Sequence, residues 1–198
     1  MAALAPTAPV EGPPSRRAQG PSALSVGVVV WLASELMFFS GLFAGWFTLR
    51  SNTSPWPPVG VELSTGRTAL ATVALVVSSV TMHRALGAAK RGDRRLAQRW
   101  LALTGALGAA FIANQALEYA GSTFRISSHA YGSMFFLLTG FHGLHVIGGL
   151  ALMAAVAWMV SGRGARAPIA PTLEVCAYYW HFVDAVWVAM FATIYILK

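Results

Sequence analysis

Charge is what this sequence has least of. Only 11% of its 198 residues are Asp, Glu, Lys or Arg, against 56% that are hydrophobic. A soluble domain carries about 25% charged residues, so the deficit points to a membrane before any pattern is read. Cysteine is nearly absent as well. Cys176 stands alone, which excludes an intrachain disulfide, and no Cys-x-x-Cys-His occurs, which excludes ordinary covalent haem c attachment. The apolar runs lack the alternation of barrel strands, so helices are the reading. No alternating aromatic and basic face is present to hold a nucleic-acid strand. The net charge of +7 therefore bears on topology, and no nucleic-acid partner is expected.

What is there is a set of five apolar segments, near 25–49, 66–87, 96–120, 130–160 and 173–197. Each is long enough for a helix to cross a bilayer, which takes about 20 residues. The expected fold is all-α: a polytopic membrane protein, one five-helix bundle over residues 25–198. The fourth segment is over-long and is expected to tilt or project. Residues 1–24, MAALAPTAPVEGPPSRRAQGPSAL, have no periodic apolar face and read as a disordered tail. A cleaved signal peptide fits poorly, because the run that follows is too long and lacks a small-residue cleavage site. The stretch 51–64, with Pro55, Pro57 and Pro58, reads as an irregular outer loop.

Loop charges set the expected orientation. Arg16, Arg17, Arg84, Lys90, Arg91, Arg94, Arg95, Arg99, Arg163 and Arg166 fall on one side, and Arg50, Arg67, Arg125 and Lys198 on the other. The basic excess belongs in the cytoplasm, which puts the N-terminus inside and the C-terminus outside a bacterial plasma (inner) membrane. The stretch KRGDRRLAQR at 90–99 reads first as a topology anchor, with an anionic-lipid or partner site as the alternative. Small residues suggest close helix packing: Gly41 and Gly45 in the first segment, and Ala102, Ala106, Ala109, Ala110 and Ala113 in the third. The tryptophans fit an aromatic belt plus packing, and Cys176 reads as inert.

Ionisable groups in the hydrocarbon zone are costly and are functional candidates by default. Glu35 lies ten residues into the first segment. His142 and His145 sit in GFHGLHVIGG (140–149), and His181 and Asp184 in YYWHFVDAVW (178–187). These five lie at similar depth on three helices, so one shared polar cluster is an option. Each three-residue spacing puts two groups on one helix face, and an Asp one turn from a His can accept from its ring and order it. Three readings stay open: haem or metal ligation, a proton relay through Glu35 and the histidines, and plain interhelix hydrogen bonding. An unpartnered Glu35 among apolar neighbours would favour its neutral form. Glu118, near the outer end of the third segment, and His83, near the inner end of the second, read as interfacial anchors within reach of headgroups or water.

SELMFF at 34–39, TMHRAL at 81–86 followed by a basic loop, QALEYA at 115–120, TFRISSHAYGSMFFLLTGFHGLHVIGG at 123–149 and YYWHFVDAVW at 178–187 together resemble subunit III of the haem–copper cytochrome c oxidases. The resemblance covers nearly everything from Val26 to Lys198. It implies a non-catalytic subunit with no haem, copper or other cofactor of its own, the redox centres lying in partner subunits I and II. It implies packing against subunit I, support of proton uptake at the cytoplasmic side, and protection from turnover inactivation. Membership of a larger respiratory supercomplex is left open. Glu35 maps onto the family's intramembrane glutamate, which is associated with bound phospholipid and carbodiimide reactivity, while His142, His145, His181 and Asp184 become structural or lipid-contacting. Longer members have seven helices, the first two opening a lipid-filled cleft against the rest. This chain corresponds to the last five, so a complete cleft within it is not expected. Rival readings are subunit III of a quinol oxidase, an accessory protein of nitric oxide reductase, a free-standing haem b cytochrome using His142 or His145 with His181, and a lipid-binding scaffold. SELMFF and QALEY favour the cytochrome c type.

Overall fold

The computed structural model describes residues 23–161 and 169–197. The expected tail lies outside them except for its last two residues, which already belong to the first helix. Arg16, Arg17, Arg163, Arg166 and Lys198 also lie outside. Among the described residues the chain is helical: α1 Ala23–Asn52, α2 Thr65–Lys90, α3 Arg94–Gly121, α4 Ala130–Ser161 and α5 Ala170–Phe191, the last running into a π-helical turn Ala192–Ile196. All five helices are long and apolar enough to cross a membrane. At about 1.5 Å per residue, the 32 residues of α4 run well past a hydrocarbon core of about 30 Å.

Local chemistry sets the tightest connection. Helix α2 closes on a Schellman motif, with Gly92 N–H donating to Ala89 O and Asp93 N–H to Ala88 O, both at 3.0 Å. Gly92 takes φ 80°, a left-handed conformation that glycine adopts without a Cβ penalty. The next residue, Asp93, caps α3 by accepting from Leu96 N–H at 3.0 Å. The stop of one helix and the start of the next are thus adjacent, and α2 and α3 form an antiparallel hairpin.

Helices α2, α3, α4 and α5 pack in a ring, each on the next and α5 back on α2, while α1 packs on α4 and α5 from outside. Trp180 of α5 is the centre of the ring and is fully buried. Its Nε1–H donates to Ser78 Oγ of α2 at 2.8 Å. Its ring fills the space that a Cβ would need at Gly108 of α3 (2.6 Å) and at Gly149 of α4 (2.8 Å). Four helices therefore meet on one side chain. Trp187, one heptad along α5, repeats the link to α2 by donating to Thr72 Oγ1 at 2.9 Å. Trp46, Trp180 and Trp187 are all wholly buried, so these three are core rather than belt.

The expected small-residue contacts lie elsewhere. A Cβ on Gly41 would meet nothing within 4 Å, and one on Gly45 would meet only Met134. Ala102, Ala106, Ala109, Ala110 and Ala113 face outward from α3. Close approach is needed where an indole must enter the bundle, and there glycine alone leaves room.

Candidate functional site

Helix α1 buries only Phe39 and Trp46 among its described side chains, a heptad apart on the face that meets α4 and α5. Glu35 sits one turn before Phe39 on that face. Its Oε2 lies 3.2 Å from Nε2 of His145 on α4. The other ring nitrogen of His145, Nδ1, donates to the carbonyl of Phe141 at 2.7 Å. Tyr179 of α5 donates to the His145 carbonyl at 2.9 Å, and Trp31 of α1 stacks on the Tyr179 ring with centroids 5.4 Å apart. Phe39 meets the His145 ring edge-on at 5.1 Å. The Glu35 side chain stays 22% exposed, at the open edge between α1 and α4.

A second polar group joins α5 to α2. His181 and Asp184 do share a face, but the link between them runs through Ser79 of α2. The Ser79 hydroxyl donates to Asp184 Oδ2. Its one proton being used, its oxygen accepts from His181 Nδ1 at 2.9 Å. The expected order in the histidine ring is present, supplied by a serine on another helix instead of directly by the aspartate.

His142 joins neither group. Its ring is 1% exposed, lies beside Trp187 at 5.0 Å and meets Phe111 edge-on at 5.9 Å. Neither ring nitrogen has a hydrogen-bond partner among the described residues. The five mid-depth groups are thus divided. No hydrogen bond or ion pair among the described residues joins Glu35 and His145 to Ser79, His181 and Asp184.

Glu118 corrects the expectation of an anchor reaching headgroups or water. It is buried, accepting from Arg67 Nη2 at 2.5 Å and from Ser64 N–H at 2.9 Å. The cause is the α2–α3 hairpin, which returns the end of α3 to the start of α2 and gives the carboxylate a cation and a backbone donor there. His83 is exposed on α2, beside Arg84 at the opposite end of that hairpin. Among the described residues, no group of three or more His, Cys, Asp or Glu side chains is placed to hold a metal ion.

A family model described as cytochrome c oxidase subunit III matches residues 16–198. The probable cytochrome c oxidase subunit 3 of Nocardia farcinica is 45% identical over 186 residues, 90% of each chain. The cytochrome c oxidase subunit 3 of Corynebacterium diphtheriae is 41% identical over the same length and shares. That of Thermostichus vulcanus is 35% identical over 173 residues, 87% of this chain and 86% of its own. This chain belongs to the cytochrome c oxidase subunit III family.

The family is a subunit of the haem–copper oxidases, an oxidoreductase complex. The match covers nine-tenths of the Nocardia and Corynebacterium subunits. Within it, SELMFF supplies the α1 half of the Glu35–His145 contact and GFHGLHV the α4 half, while Tyr179 and Phe182 of YYWHFVDAVW line its α5 side. Sequence reasoning missed Ser79, Arg67 and Tyr179. No local signal marks Ser79, a serine in a helix. Arg67 could have been found from charge alone, being a cation at the start of α2 opposite a glutamate at the end of α3.

Proposed function

We propose that this subunit III is a non-catalytic wall of a proton-pumping terminal oxidase that reduces oxygen to water with electrons from cytochrome c. Haem and copper belong to subunits I and II. This chain packs against subunit I, meets phospholipid at the Glu35 edge, and supports proton uptake on the cytoplasmic side of a bacterial inner membrane. The hairpin end bearing Lys90, Arg91, Arg94 and Arg95 faces the cytoplasm, following the positive-inside rule.

One observation carries the reading. Glu35, His145, His181, Asp184 and Glu118 are each bonded to a different helix. They tie α1 to α4, α2 to α5 and α2 to α3. Side chains committed in this way hold helices together, which supports a structural role for them.

The test is a reduced-minus-oxidised visible spectrum of the tagged subunit, purified from its native membrane in mild detergent and again after its partners are stripped. The expected result is a haem signal that is present with partners and lost on stripping. The haem type then identifies the oxidase class. Haem retained by the stripped chain would overturn the reading in favour of a b-type cytochrome.

A further inference from the structure

At the basic end of the α2–α3 hairpin lies a cavity of about 440 Å³, lined by His83, Arg84, Gly87, Arg91, Leu96 and Trp100. It is within the size range of pockets that hold small ligands, about 300–1,000 Å³. Its construction is specific. Arg84 and Gly87 lie on one stripe of α2, and Arg91, the C-cap residue that follows the helix, continues it. The Arg84 guanidinium lies 5.3 Å from the centroid of the Trp100 ring, which holds its fork in place by a cation–π contact. Arg91 turns back along its own helix, so that Nη1 would lie 3.5 Å from a Cβ on Gly87. With no side chain at Gly87, the floor between the two guanidiniums stays open. His83 adds an imidazole at the rim.

None of these six residues is acidic. Two guanidiniums converge on one cavity and no carboxylate lines it, although the hairpin's acid, Asp93, is only two residues from Arg91. Asp93 is turned to cap α3. Like charges held this way repel and favour an anion between them. Guanidinium forks match the oxygens of phosphate in a bidentate fashion that an ammonium does not.

We propose that this cavity binds a phosphate group, held between Arg84 and Arg91 over Gly87. The surroundings favour a phosphate carried by an anionic phospholipid. One turn from Arg84 along α2, Val80 is exposed, with Val77 and Val76 exposed beyond it, and Leu103 is exposed one turn from Trp100 on α3. A headgroup in the cavity would lay its acyl chains along these apolar side chains. The site is separate from the Glu35 edge and does not depend on how that edge is used.

The experiment is native mass spectrometry of the intact complex, delipidated and titrated with phosphatidylglycerol, with and without millimolar inorganic phosphate. The wild-type complex should retain one phosphatidylglycerol that R84Q/R91Q binds at least about a hundredfold more weakly, the scale expected for two lost charge-assisted hydrogen bonds. Gly87→Leu, which fills the floor and leaves every charge in place, should lose the same lipid. R95Q/R99Q, removing two charges from the same end outside the cavity, should keep it. Competition by inorganic phosphate would assign the site to the free ion as well, and no competition would assign it to the lipid. Equal loss in R95Q/R99Q and R84Q/R91Q would reduce the effect to a diffuse basic surface and overturn the proposal. So would unchanged retention in Gly87→Leu.

Discussion

Glu35 Oε2 and His145 Nε2 meet at 3.2 Å, joining α1 to α4. The Phe141 carbonyl can only accept, so Nδ1 of His145 carries a hydrogen. The 3.2 Å contact from Nε2 to Glu35 Oε2 then needs one proton between its two atoms. Either an imidazolium donates to a carboxylate or a carboxylic acid donates to an imidazole. Both arrangements are neutral as a pair, which is how two ionisable groups persist where an isolated charge is costly. The pair also joins α1 to the rest of the bundle at the open edge of the subunit.

Glu35→Gln retains a donor to Nε2 but removes the transferable proton. Assembly and the initial rate of oxygen reduction should be preserved, while the active lifetime of the complex shortens. Glu35→Leu removes the contact altogether and should also lower the melting temperature, by an amount consistent with about 1 kcal/mol for an interhelix hydrogen bond in a membrane. The checks are the inactivation rate over many turnovers and a thermal melt. A wild-type lifetime in Glu35→Gln would remove the role of the proton.

Ser79 makes His181 and Asp184 one unit. Ser79→Ala should leave both without this partner, and Asp184 Oδ1 already has none among the described residues. We expect a loss of about 1–3 kcal/mol for an under-satisfied buried group. His181→Ala should lose a similar amount, and the double variant less than their sum, because the groups form one chain. A double-mutant cycle on unfolding of the complex measures this. Additive losses would mean that the serine and the histidine act separately.

The five helices were legible because bilayer thickness sets a length that apolar runs either reach or miss. Glu35 was legible because a carboxylate inside such a run is rare. Its partner was not, because spacing along a chain finds neighbours on the same helix, and His145 comes from a helix more than a hundred residues away. The same limit explains Ser79, which completes a link that the three-residue spacing of His181 and Asp184 suggested was direct. The glycine pattern misled for a related reason. Gly41 and Gly45 fit a one-helix motif, whereas the hole that receives Trp180 is made from Gly108 and Gly149 on two helices. Gly108 lies in no motif, and Gly149 closes GFHGLHVIGG with no sign there of the helix it faces.

That hole gives a sharp comparison within one helix. A Cβ on Gly108 would lie 2.6 Å from Trp180 Cη2, whereas one on Gly105 would meet nothing within 4 Å. Trp180 is held by three other helices, through Ser78, Gly108 and Gly149. Gly108→Ala should therefore cost about 1–3 kcal/mol, the usual penalty of overpacking, and lower the yield of assembled subunit. Gly105→Ala should be neutral or slightly stabilising, since alanine is the better helix former. Equal melting temperatures for the two variants would show that the indole can move.

The Arg67–Glu118 contact should behave asymmetrically. Glu118 is buried, while Arg67 remains 44% exposed, so the two ends face different solvents. Arg67→Met leaves a buried carboxylate with only the Ser64 N–H, and should cost about 1–3 kcal/mol. Glu118→Gln leaves an arginine that can turn outward, and its amide oxygen can still accept from Ser64, so its cost should be smaller. Replacing both with methionine removes the unpaired charge and should recover part of the Arg67→Met loss, as seen generally when a buried pair is exchanged for apolar residues. Thermal unfolding of the four proteins orders them: wild type, then Glu118→Gln, then the double variant, with Arg67→Met lowest. If Glu118→Gln proves as damaging as Arg67→Met, the carboxylate itself holds the hairpin, and relief of an unpaired charge is not the governing effect.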